Sequence, residues 1–148
     1  MVEESAAQAE AKTTAARLRR SLRWDAVAAL SVAAGIGLLL VVPLRGVTGA
    51  LAAGALMMTP AIAYYSLRIR FDAAVFARWS ARTDIAAAMR EFDEALARRL
   101  RRPLASSARP LTDRAAGALG LARRHRRWCG LQATAILAAA ALSAANGI

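Results

Sequence analysis

The chain has one cysteine, one histidine and one lysine among 148 residues. Each scarcity removes a class of chemistry. Cys129 alone cannot form an intramolecular disulfide or a cysteine-based zinc site, and it reads as a small apolar residue on the reducing side of a membrane. A single His125 excludes the two-histidine metalloprotease motif. Glu91, Asp93 and Glu94 form an acidic cluster, but only Glu91 and Glu94 share a helical face and arginines stand nearby to neutralise them, so no metal site is expected. Gly35 and Gly37 lie inside an apolar run with no strand before them, which excludes a dinucleotide fingerprint. No cofactor is expected. Groups placed for acid–base work are missing too, so the chain does not read as an enzyme.

Charge is absent from three long stretches, Ala26 to Leu44, Gly49 to Leu67 and Leu131 to Ala145. The first two hold nineteen residues each, roughly 28 Å as helix, close to the thickness of a bilayer's hydrocarbon core. Both are long enough to span. The second carries Pro60 after Thr59, which predicts a kink, and ends in Tyr64 and Tyr65, rings suited to the headgroup level. The third is weaker, because only Leu131, Ile136, Leu137 and Leu142 are strongly apolar while Gln132, Thr134 and Ser143 oppose insertion. It lacks the polar face of an interfacial helix, so it reads as a span from near Trp128, packed on the other two through small residues such as Ala141 and Ala145. The fold class expected is an all-α integral membrane protein with three transmembrane helices and a cytoplasmic amphipathic helical hairpin between the second and third.

Positive charge sets the orientation. Lys12, Arg17, Arg19, Arg20 and Arg23 precede the first span, Arg45 alone occupies the loop after it, and residues 68–127 hold fifteen arginines against six acids. The positive-inside rule puts the N-terminus and this insert in the cytoplasm and the C-terminus outside. A polar lead of twenty-five residues and an apolar run of nineteen are too long for a cleaved secretory signal. The domains expected are a polar tail (1–25), a membrane hairpin (26–67), a basic insert (68–127) and a third span (128–148). The net charge of +11 and pI near 11.6 do not imply nucleic acid, since the arginines stand where topology demands them and no aromatic-interleaved platform accompanies them. Twenty arginines to one lysine is the bias of a high-GC genome, which places the chain in a bacterial cytoplasmic membrane.

The insert is helical in pattern. The second span is expected to continue past Arg68, with Phe71, Val75 and Trp79 on one face. Thr83 or Asp84 can cap a new helix. Ile85, Met89, Phe92, Leu96 and Leu100 then form an amphipathic stripe, the candidate docking surface for a partner, with Arg90, Glu94, Arg98 and Arg101 opposite. This helix ends at Arg102, before Pro103. After a loop to Pro110, a helix over 111–127 presents Leu111, Ala115, Ala118 and Ala122, a low surface for close packing, with Gly117 and Gly120 in keeping with it. Helices 84–102 and 111–127 are expected to pair antiparallel, with 68–82 completing a bundle. Arg123, Arg124, Arg126 and Arg127 abut the membrane and are candidates for contact with anionic lipid, while His125 among them reads as a solvated interface residue.

No charged residue lies within a span, although such residues mark ion paths and proton relays. The reading is therefore a non-enzymatic accessory, scaffold or regulatory subunit, its partners being the lipid bilayer and a membrane protein or a second copy of itself. The alternative is a small oligomeric, holin-like pore, with Thr59, Gln132, Thr134 and Ser143 as lining.

Overall fold

The computed structural model describes residues 2–41, 46–101 and 109–146, with side chains from Glu4 onward. Leu44, Arg45, Arg102 and Pro103, where the sequence predicts a span end, a loop and a helix stop, lie outside the described residues. Among those described there is no strand, and six helices follow in order: α1 (Val2–Ser21), α2 (Trp24–Val41), α3 (Val47–Met57), α4 (Thr59–Ser80), α5 (Ile85–Leu100) and α6 (Leu111–Ala145).

Five of these make three long rods, α1 running into α2, α3 into α4, and α6 by itself, of 38, 34 and 35 residues over Glu4–Val41, Val47–Ser80 and Leu111–Ala145. Each rod is roughly 50 Å or more in length, well beyond the ~30 Å of a hydrocarbon core. All three are long and apolar enough to cross a membrane. The first rod passes from α1 to α2 through a turn at Leu22 and Arg23 held by i to i−3 bonds, Leu22 N–H donating to the Arg19 carbonyl at 3.2 Å and Asp25 N–H to the Leu22 carbonyl at 3.0 Å. The second is interrupted at Met58, two residues before Pro60. A proline has no N–H to return to the preceding turn and its ring crowds that turn, so the helix restarts there. The break falls where the sequence predicts a kink.

One spacing organises the bundle. Along α6 the buried residues are Leu111, Ala115, Ala118, Ala122, His125, Cys129, Gln132, Ile136, Ala139 and Ser143, alternating steps of four and three without a slip. That is the seam of helices packed at a shallow angle, and it runs through both the basic and the apolar half of the rod. In the apolar half it meets Ala52 and Ala55 of α3, and Gly35 of α2 allows the approach. A Cβ at Gly35 would stand 2.8 Å from Ile136 Cδ1 and 3.2 Å from Leu56 Cδ2.

In the basic half the seam meets α1 and α4. Residues 1–25, read from sequence only as a polar tail, fold over Val2–Ser21 as a helix whose Ala11, Ala15 and Leu18 are buried against Ile69, Ala73, Phe76 and Trp79 of α4. The helix past Arg68 forms as expected, but its buried face is turned. Phe71 is 46% exposed, and the core takes Ile69, Ala73 and Phe76 with Trp79. α5 packs chiefly on α4 and α1, so the main partner of residues 111–127 is α1 with α4 rather than helix 84–102. Asp84 is the cap, its Oδ1 accepting the Ala87 N–H at 2.8 Å, and Arg101 closes α5 in the left-handed conformation at φ 50°.

Candidate functional site

Where the apolar and basic halves join, all three rods place polar side chains at one level. Asp25 stands in the first turn of α2, where a carboxylate suits the positive end of the helix dipole. Its Oδ2 accepts from Ser66 Oγ at 2.8 Å and from Arg70 Nη2 at 2.7 Å, both on α4. Its Oδ1 lies 3.2 Å from His125 Nε2 on α6, while His125 Nδ1 has no hydrogen-bond partner among the described residues. Cys129 Sγ is 3.5 Å from the same Nε2.

His125 is 0% exposed. This corrects its reading as a solvated residue: the arginines on either side of it point outward while the seam carries the imidazole inward. Burial pushes its pKa below the ordinary 6.5, and the nearby Asp25 carboxylate pulls part of that back. The signal was present in the sequence. Continuing Leu111, Ala115, Ala118 and Ala122 by steps of three and four leads to His125, Cys129 and Gln132, a register hidden by the run of arginines.

Aromatic rings collect at the same level, Trp24 at the start of α2, Tyr64 and Tyr65 on α4, and Trp128 on α6, each within three residues of the polar layer. Trp24 and Trp128 pack on a small cluster of Ala28, Ile62 and Cys129. One turn deeper in α6, Gln132 Nε2 donates to the Ala55 carbonyl and to Thr59 Oγ1, both at 3.1 Å, at the Met58 junction. Gln132 is buried and bonded within the bundle, Thr134 is exposed, and Ser143 is buried. The four residues named as pore lining thus do not share one face.

Arg123, Arg124, Arg126 and Arg127 are all exposed. An open groove between the first rod and α6 brings two of them, Arg123 and Arg126, beside Arg17, Arg20 and Arg23, with Trp24 also in its lining. None of these five guanidiniums makes an ion pair or a side-chain hydrogen bond among the described residues.

The stripe on α5 divides. Ile85 is buried, Met89 and Phe92 are half-buried, and the Phe92 ring meets Trp79 at 5.7 Å edge-on and Phe71 at 6.2 Å. Leu96 and Leu100 remain 41% and 53% exposed. Each acid of this helix is held by an arginine: Glu91 by Arg82 at 3.0 Å, Glu94 by Arg98 at 3.8 Å, and Asp93 by Arg114 of α6 through two bonds of 2.9 and 2.6 Å. Among the described residues no group of three His, Cys, Asp or Glu could hold a metal ion.

The fold therefore belongs to the class of long-rod helical bundles, apolar outside in one half and cationic in the other, with a polar layer between. Comparison with protein-family models, curated proteins and solved structures finds no match to this chain.

Proposed function

We propose that this protein is a non-enzymatic, multi-pass component of a bacterial cytoplasmic membrane, acting there as an accessory, scaffold or regulatory subunit. The observation that carries the membrane reading is the inverted distribution of side chains in the apolar half. Leu30, Leu40, Val41, Met57, Leu67 and Leu137 face outward, while Ser31, Thr48, Gln132 and Ser143 are buried with alanine and glycine. Water would penalise that surface by about 25 cal/mol for each Å² left exposed, whereas lipid would not. Small interior residues are the ordinary means by which helices approach in a bilayer. The ring of Trp24, Tyr64, Tyr65 and Trp128 supports a boundary at the polar layer. The arginines of α1, α4, α5 and α6 stand on one side of it, which favours a cytoplasmic N-terminus and an external C-terminus.

The regulatory reading rests on what the cytoplasmic half leaves uncovered. α5 is tied to the bundle through its first half, and Leu96 and Leu100 project from its second. A partner's apolar surface is the occupant expected there. The experiment is extraction of the tagged full chain into polymer nanodiscs followed by native mass determination, with the variant Leu96→Ser, Leu100→Ser beside it. A heteromer that the variant loses, while the chain stays in the membrane fraction, supports an accessory role. A homo-oligomer that conducts in planar bilayers overturns it in favour of the pore.

A further inference from the structure

The groove between the first rod and α6 sets five cations together without a counter-charge. Arg17, Arg20 and Arg23 recur every third residue along one edge, and Arg123 and Arg126 line the other. Asp25, two residues after Arg23, is already engaged by Arg70 and Ser66 with His125 beside it. Like charges held together in a fold repel, and an anion between them removes that penalty. Guanidiniums on two facing helices suit phosphate oxygens, which accept paired N–H donors from more than one arginine.

Position narrows the anion further. Trp24, two residues before the apolar run begins at Ala26, lines the groove, and Trp128 follows Arg126 by two residues on the other rod. Tryptophan belts lie at the headgroup level of a bilayer. On the reading of the apolar half as lipid-embedded, on which this inference rests, the groove opens where the phosphates of the cytoplasmic leaflet lie. We propose that the groove lined by Arg17, Arg20, Arg23, Arg123 and Arg126 binds the phosphate headgroup of an anionic phospholipid, with five cations suited to a headgroup carrying two phosphates. Arg124 and Arg127, exposed but outside the groove, contribute only to the general attraction toward a negative leaflet.

The test is native mass spectrometry of the full chain in mild detergent, titrated with diphosphatidylglycerol, phosphatidylglycerol and phosphatidylcholine of equal acyl length. Diphosphatidylglycerol should be retained in preference to phosphatidylcholine, and the variant Arg17→Gln, Arg20→Gln, Arg123→Gln should weaken it by about tenfold or more. The charge-matched control Arg98→Gln, Arg99→Gln, Arg101→Gln should stay within about twofold. Equal weakening by both variants, or equal retention of phosphatidylcholine, overturns the site. Displacement of bound lipid by millimolar inorganic phosphate overturns the lipid assignment in favour of a soluble anion.

A second readout leaves the arginines intact. The emission of Trp24, isolated by difference from Trp24→Phe, should shift on adding diphosphatidylglycerol vesicles and not phosphatidylcholine vesicles; the absence of a shift counts against the groove whatever the triple variant does. Fractionation keeps the two readings apart. A chain that sediments with membranes yet ignores headgroup identity leaves the membrane reading standing and removes this site.

Discussion

His125 is the residue whose environment departs furthest from its neighbours in sequence. It lies in the seam with Asp25, Arg70 and Cys129 close by, and burial disfavours its protonated form. The unfolded chain takes up the proton near pH 6.5, while the folded one resists until lower pH, so stability is greatest above that value and declines as pH falls through it. The melting midpoint in detergent should drop between about pH 7.5 and about pH 5, and His125→Gln should flatten this dependence. An unchanged slope in the variant would assign the acid sensitivity elsewhere. At Gly35, α2 comes close to Ile136 of α6. Gly35→Ala pushes a methyl against Ile136 Cδ1, the far end of a side chain that can turn aside, so the strain should offset the better helix propensity of alanine and leave stability within about 1 kcal/mol of the parent. Adding Ile136→Val removes the offending carbon, so the pair should be less destabilised than the sum of the single changes.

At the scale of elements, α5 is the loosest part. Its first half is anchored by Ile85, Ala88 and Phe92, and its middle by the double bond between Asp93 and Arg114, whose guanidinium also lies 5.7 Å from the Trp79 ring. Both side chains are largely covered, at 25% and 15% exposure, which makes this pair stronger than an ordinary surface bridge. Asp93→Asn should release the second half of the helix at a cost of about 2 kcal/mol. Hydrogen exchange should then rise across 93–100 while the α6 seam stays protected. Fast exchange over the whole chain would mean that the pair supports the bundle as a unit. The stripe on α5 was legible because Ile85, Met89, Phe92, Leu96 and Leu100 are large and regularly spaced. The matching face of α1 was not, because Ala11 and Ala15 carry little hydrophobic contrast and Leu18 sits among three arginines.

For the whole molecule the arrangement of charge makes a directional claim. In a Cys129→Ala background, Thr112→Cys and Asn146→Cys place thiols at the two exposed ends of α6. A membrane-impermeant maleimide should label position 112 only in inverted vesicles and position 146 only in intact spheroplasts. The opposite pattern would reverse the orientation, and labelling of both from one side would mean that α6 does not cross. The groove belongs to this scale as well. Its five arginines come from positions separated by about a hundred residues in the chain, and only the lateral packing of the first rod on α6 brings them into one groove.

Long uncharged runs settled the helical class and three apolar helices of spanning length, because hydrophobic length acts locally and is written residue by residue. The cap at Asp84, the extension of the second run to Ser80 and the surface of Leu111, Ala115, Ala118 and Ala122 follow from periodicity of the same local kind. Tertiary packing decided what faces inward. It took α1 out of the tail, turned the α4 face from Phe71 to Ile69, moved the α6 partner from α5 to α1 with α4, and placed His125 and Gln132 in a seam. The reason is that an alanine-rich helix carries too little contrast between its faces to specify its own rotation. Its orientation is fixed only when neighbouring helices choose the face they can approach most closely.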